Sequence, residues 1–458
     1  MTTAGEPAAA LRSDGAAEDL RRLADGLDAA ALGEEMHALV RELYPICRSI
    51  TGDGLRASLR ILQRVAPLAL HEVPSGTAVF DWVVPREWNL GAARLTAPDG
   101  TVVADAGRNS LEVLNYSAPF RGKVRREGLE PHLHSIPEQP ALVPYRTSYY
   151  REDWGFCVPH EVRQRLPPGE YDVVVDTTLA DGSLTYGELV VPGARPDEVL
   201  VSAHCCHPSL ANDNLSGMVV AATLAKLLSR LSPRYTYRFL FIPGTIGSIT
   251  WLALHEAEAR RIAHGLVAAC LGDSGKLTYK RSRRGNAEID RAVAHVLARS
   301  GEAHELRDFS PYGYDERQYC SPGFDLAVGS LTRTPHGEYP EYHTSADAPS
   351  LVKPDRLADS LRRYLEVFEV LEGNRAYVNL SPKGEPQLGK RGLYGSVGGR
   401  SHAVASQLAL LWVLNLSDGG HPLLDVAERA KLGFTEIAAA ARALERVGLL
   451  HTAESSGR

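Results

Sequence analysis

Two short strings carry the side chains best suited to chemistry: His204-Cys-Cys-His-Pro-Ser-Leu-Ala-Asn-Asp213-Asn-Leu-Ser-Gly and, far along the chain, Tyr342-His343-Thr-Ser-Ala-Asp347. The first follows the apolar run from Glu198, which reads as a buried strand, so His204 stands at the strand's carboxyl end, where open α/β sheets place ligands. Asp213 lies nine residues on, in the loop before a helical pattern, and Asp273 follows a second apolar strand. His343 falls in a loop kept irregular by Pro335, Gly337 and Pro340. Imidazole nitrogen and carboxylate oxygen are the ligands zinc favours, and three or four of them with one open position is the catalytic arrangement. The residues alone therefore point to His204, Asp213, Asp273 and His343 as ligands of one Zn2+ ion.

Each has a plainer alternative. Asp213 by itself suits the N-terminal cap of the following helix. His207 fits a ligand or a supporting role equally, with Pro208 beside it. The adjacent Cys205 and Cys206 point different ways and read as buried packing in a reduced environment. The Asp315-Glu-Arg-Gln318 run suits a solvated surface loop, and the basic cluster from Lys280 to Arg284 does too.

The surrounding pattern supplies the positioning elements. Between 187 and 374 strand and helix patterns alternate, with strands expected at 196–203, 235–242, 265–271 and 325–329 and helices at 215–230, 249–262, 287–299 and 354–373. Such alternation predicts an α/β fold, a mainly parallel sheet sandwiched by helices. The expected core comprises 31–85 and 175–385, interrupted by a β-rich insertion over 86–174 whose Pro, Gly and clustered aromatics break the alternation. The cluster from Tyr145 to Trp154 serves either as the insertion's own core or as a cover for the metal. Residues 1–30, rich in Ala, Gly and Asp, are expected to be poorly ordered.

Composition narrows the function classes. The 458 residues are 44% hydrophobic and 23% charged with a formal net charge of -6, and no long basic run supplies a footprint for nucleic acid. Small-molecule or peptide substrates are the expected partners. The six cysteines, at 47, 157, 205, 206, 270 and 320, show no CxxC pair or disulfide spacing. With no signal-like segment and no 18-residue apolar run, the expectation is a cytoplasmic protein that does not engage a membrane.

The strand–His204–Asp213-Asn-Leu-Ser-Gly–helix pattern, the acidic residue after a later strand and Tyr342-His343-Thr-Ser-Ala-Asp resemble the zinc aminopeptidases with a co-catalytic metal pair. More closely, 35–450 resembles aminopeptidase-like proteins with an inserted β domain and a carboxyl-terminal winged helix. Pro45-Ile-Cys-Arg-Ser-Ile-Thr-Gly-Asp-Gly, Tyr145-Arg-Thr-Ser-Tyr-Tyr, Trp154-Gly-Phe-Cys and Tyr312-Gly-Tyr-Asp-Glu-Arg-Gln-Tyr add to that likeness. The resemblance implies that His204, Asp213 and Asp273 hold one metal, that Asp213 bridges to a second and that His343 serves the second. It also implies a Glu-Glu pair after the strand ending near 242, the first being the general base. The chain has Pro243-Gly244-Thr245 there.

That substitution leaves three readings. The protein binds one metal and uses another base, for which Asp315 and Glu316 are the candidates by residue type. Alternatively it is a hydrolase or lyase for an unusual amide or modified amino acid, with substrate or a metal-bound hydroxide removing the need for a base. Or it is a catalytically altered regulatory protein that binds a small amino-containing ligand. In the resembled enzymes the loop corresponding to Asp315–Gln318 lines the substrate pocket, and the resemblance implies substrate contact for Arg317 and Tyr314 there and for Tyr342 in the second string. Arg317 is suited to a bidentate grip on a carboxylate.

From about 400 to 458 the pattern gives three short helices, at 408–416, 423–430 and 436–447, which resemble a winged helix-turn-helix. The third helix carries Glu436, Arg442, Glu445 and Arg446, a mixed set without a basic stripe. Homo-oligomerisation or partner docking is the expectation for this domain, not DNA binding.

Overall fold

The structure, a computed structural model, describes residues 15–393 and 401–453. It divides into two compact units: the first comprises 26–290 and 303–362, and the second takes 15–25, 291–302 and the described part of 363–453.

The first unit is built on an eight-stranded mixed sheet. Its strands run in the order Ala69–Pro74, Ser183–Val191, Thr236–Ile242, Glu198–His204, Ile262–Ala268, Val328–Thr332, Leu277–Lys280 and His304–Arg307. The four strands from Thr236–Ile242 to Val328–Thr332 are mutually parallel. Every residue of Glu198–His204 is buried, as its unbroken apolar run requires of a strand covered on both faces. The helix Gly217–Leu228, buried along eleven of its twelve residues, follows the site loop. The outer strands Ala69–Pro74, Ser183–Val191 and Leu277–Lys280 pair antiparallel, and these lay outside the predicted alternation because they are short or only partly buried. The α/β architecture with parallel central strands stands as expected.

The insertion folds on its own four-stranded antiparallel sheet, with Glu170–Ala180 and Glu87–Thr96 at its centre. That sheet runs to Ala180, past the expected close at 174. Its apolar cluster contains Leu95, Phe156 and Tyr171. Trp154 stacks on Phe120 and His132 there.

The second unit contains the carboxyl-terminal domain: helices Ser401–Leu416, Leu423–Ala430 and Phe434–Arg446 with a three-stranded sheet. Its central strand, Ala376–Asn379, lies before the expected start near 400 and pairs with both Asp418–Pro422 and Leu450–Thr452. A four-residue strand far from its partners leaves little periodic signal. The expectation of a poorly ordered 1–30 is corrected in part: Ala16–Asp25 is a helix that buries Ala16, Leu20 and Ala24, while 1–14 fall outside the described residues. Among the described residues, no helix is long and apolar enough to cross a membrane.

Candidate metal centre

His204 ends the central strand and Asp213 returns to it from the next loop, with His204 Nε2 2.7 Å from Asp213 Oδ1. The other carboxylate oxygen lies 3.0 Å from His343 Nε2 and 3.9 Å from His207 Nε2. His204, His207 and Asp213 offer ligand atoms all within 4.8 Å of one another, and all three side chains are buried. Asp213 thus turns to imidazoles, and the helix that follows has no side-chain cap at Ser216.

The loop is held by polar side chains that sequence reasoning assigned no role. The Asn214 amide donates to His204 O and Ala268 O and accepts from the amides of Gly217 and Cys270, knitting two adjacent strand ends together. Asp347 accepts the backbone amides of Ala211, Asn212 and Asp213, so it fixes the segment carrying the central carboxylate. Burial pushes the Asp347 carboxyl up to about 7 against the pull of those amides. The signal was present in both strings, but single polar letters do not reveal which backbone they hold. Arg48 donates to His207 O and Leu43 O, which gives the Ile46–Thr51 stretch a supporting role.

His343 has φ 54°, a left-handed conformation uncommon among non-glycine residues. Its carbonyl accepts the amide of Tyr145, and its ring lies stacked on Tyr342 at 3.9 Å with Tyr145 edge-on at 5.0 Å. Tyr145 also packs against His207. The insertion's aromatics therefore divide: Trp154 belongs to the insertion core, and Tyr145 with Tyr149 reaches the centre.

The remaining expected residues fall as follows. Asp273 is not brought to the group: its oxygens accept from Thr334 Oγ1, Gly275 N and Asn212 Nδ2, which orients it toward the loop scaffold. Glu316 pairs with Lys280 and accepts the amide of Tyr314, so it anchors the loop. Asp315 is fully buried; Ser248 donates to its Oδ1, and Oδ2 has no partner. Burial raises this carboxyl to about 7, with His204 the main charge opposing the rise. Arg317 is exposed and makes no ion pair among the described residues. The basic cluster is neutralised in place, Arg281 by Asp308 and Arg283 by Asp325.

Gly244 and Tyr314 explain each other. A Cβ on Gly244 would lie 2.0 Å from Tyr314 Cε1, so the ring fills the space that a side chain at 244 would enter. That ring sits 3.9 Å from the His204 ring, and its hydroxyl lies 3.3 Å from His207 Nε2. Ser248, on the helix Ile246–Leu254 that follows Gly244-Thr245, is the residue that reaches Asp315. A carboxyl group absent from the 243–249 loop is thereby delivered beside it from another.

These donors fit one zinc ion. Ligands at about 2.0–2.1 Å in a tetrahedron lie roughly 3.3 Å apart, so His207 would close on Asp213 from 3.9 Å while the 2.7 Å contact of His204 opens. Burial lowers His207 well below the usual histidine range, which leaves its ring neutral and able to ligate. Burial opposes ionisation of Asp213, but the surrounding imidazoles outweigh it and hold the carboxyl well below its usual value. Burial raises Cys206 to about 12, so the thiol acts as packing.

Residues 37–374 match a family described as a domain of unknown function, DUF4910, and 375–452 match a winged helix-turn-helix family. The chain belongs to the DUF4910 family. A relative from Clostridium acetobutylicum, 49% identical over 91% of this chain and 96% of its own, carries the provisional name of a polysaccharide biosynthesis protein with an aminopeptidase-like domain. A crystal structure of a provisionally named peptidase from the same organism matches with TM-score 0.90 and 46% identity, covering 95% of this chain and all of that one. A zinc aminopeptidase from Bacillus subtilis aligns at TM-score 0.54 and 14% identity over 73% of this chain and 93% of its own, a likeness of fold. This DUF4910 protein therefore has an aminopeptidase-like core, as the strings around His204 and His343 implied, followed by a winged helix, as the three-helix pattern over 400–458 implied.

Proposed function

We propose that this DUF4910 protein is a single-zinc amide hydrolase acting on a small peptide, aminoacyl amide or modified amino acid. The relative's name supplies polysaccharide biosynthesis as a setting. Asp315 carries the reading: it is a buried carboxyl with a pKa near 7 and one unpartnered oxygen, beside the loop that lacks the expected glutamates. His204, His207 and Asp213 would hold the ion, with His343 on the second oxygen of Asp213. When bound, zinc polarises an acyl carbonyl and makes water more acidic.

Asp315 takes up the proton that water releases as its oxygen joins the acyl carbon. The C–N bond breaks and the proton passes to the departing amine. Tyr314 closes the space over His204 to solvent, and the exposed Arg317 offers a grip for a substrate carboxylate.

Only the ionised carboxylate accepts a proton, so kcat/KM on an aminoacyl amide rises with pH through a limb near 7, or below it because a bound cation favours the charged form. Asp315→Asn removes the limb and lowers the rate about 10²–10⁴-fold. A panel of aminoacyl amides, assayed with zinc-loaded protein across pH, makes the test. An unchanged rate and limb in Asp315→Asn would remove Asp315 as the base. The complete burial of Asp315 favours a second reading in which it acts on His204 only through its charge and the protein binds its ligand without turnover. Zinc-loaded protein inert on the whole panel would select that reading.

A further inference from the structure

A separate cavity of about 190 Å³ opens beside the 312–318 loop, lined by Thr278, Lys280, Ser310, Tyr312, Thr332 and His336 among others. Thr278 and Thr332 are directly opposite each other on the antiparallel strands Leu277–Lys280 and Val328–Thr332. Both threonines are at least nine-tenths buried, and both hydroxyls lack any hydrogen-bond partner. A buried hydroxyl without a partner lowers stability relative to the isosteric valine, so two of them on one cavity wall mark donor and acceptor capacity that no residue uses.

The charges around the cavity cancel. Lys280 pairs with Glu316, Arg307 with Glu338, Lys276 with Glu305 and Arg281 with Asp308. Among the described residues no lining cation is left over to bind an anion, which favours a neutral ligand. Tyr312 is 76% exposed, with its ring 5.5 Å from His336. An exposed aromatic ring offers an apolar face of the kind that packs on C–H groups. A neutral molecule with one apolar face and several hydroxyls fits this combination. The volume holds about six waters at roughly 30 Å³ each, the size of one sugar ring.

The cavity also adjoins the metal centre. Its Glu316 wall holds the Tyr314 amide, and the rings of Tyr312, His336, Tyr342 and His343 succeed one another toward Asp213. We propose that this cavity is a subsite for a single neutral hexose unit, and that the amide presented to the centre is one borne on an amino sugar. The second half rests on the hydrolase reading; the subsite does not.

Calorimetric titration of the full chain with N-acetylglucosamine tests it, with acetamide and inorganic phosphate as the ligands lacking the sugar ring. N-acetylglucosamine is expected to bind, and the two controls are not. The double variant Thr278→Val with Thr332→Val weakens sugar binding about tenfold or more, the size of a lost hydrogen bond, while its thermal midpoint stays level or rises. Tyr312→Ala, at an exposed position, weakens it by a similar factor without risk to folding. Binding persists in His204→Ala, which separates the subsite from the metal chemistry. No sugar binding by the wild type at about 10 mM, the weak end of specific recognition, overturns the proposal even where aminoacyl amides are cleaved. Sugar binding indifferent to all three substitutions, or phosphate binding in its place, overturns it as well.

Discussion

Asp347→Ala is expected to destabilise the protein by about 3–5 kcal/mol and to weaken zinc binding about 10–100-fold, although Asp347 is not among the grouped ligand atoms. The carboxylate accepts three consecutive backbone amides, at Ala211, Asn212 and Asp213, and the Tyr339 hydroxyl at 3.3 Å. Removing it strands those donors in a fully buried segment, where each unmade bond costs about 1–3 kcal/mol before relaxation. The same amides orient Asp213, which meets His204 and His343 on opposite oxygens. Asp347→Asn retains one acceptor and should fall between. Urea unfolding and zinc titration read the two effects separately. A loss below about 1 kcal/mol with unchanged zinc affinity would contradict the positioning role.

Gly244→Ala should be nearly as damaging for a different reason. The added methyl meets three carbons of the Tyr314 ring at 2.0, 2.8 and 2.9 Å, and that ring is held against His204. One of them must move, with an overpacking cost of about 1–3 kcal/mol. A shift of about 1 Å at the centre lowers turnover roughly 10²-fold. In a Tyr314→Ala background the clash is gone, and Gly244→Ala should become close to neutral in stability, giving a clear coupling in the double-mutant cycle. Additive effects of the two substitutions would show that the glycine is not there for the tyrosine.

The same pair marks the limit of reading this chain as letters. Gly244-Thr245 shows only that two glutamates are missing, because a glycine carries no information about what fills the space above it. Tyr314 and Asp315 come from a loop some seventy residues away, and their arrival depends on tertiary contacts such as Ser248 to Asp315 that no periodicity encodes. The strand and helix framework was legible because buried runs such as Glu198–His204 and the helix Gly217–Leu228 are long and continuous. His204, Asp213 and His343 were legible because they stand at strand ends and in loops. Asp273 has the same kind of address, yet Thr334, Gly275 and Asn212 claim its oxygens. Glu316 was as good a base as Asp315 by residue type, and its contacts with Lys280 and the Tyr314 amide, against an unpartnered oxygen on Asp315, separate them. His207 left a choice between ligand and support, and its ring lies in the same buried group as His204 and Asp213.

The central claim is a one-zinc centre on His204, His207 and Asp213, and metal analysis of the purified full chain after dialysis against zinc tests it most directly. One zinc per chain is the predicted result, lost in His204→Ala, weakened about 10–100-fold in His343→Ala and retained in Asp273→Ala. A wild-type chain that retains no zinc, or one that retains two with one of them lost in Asp273→Ala, would contradict it.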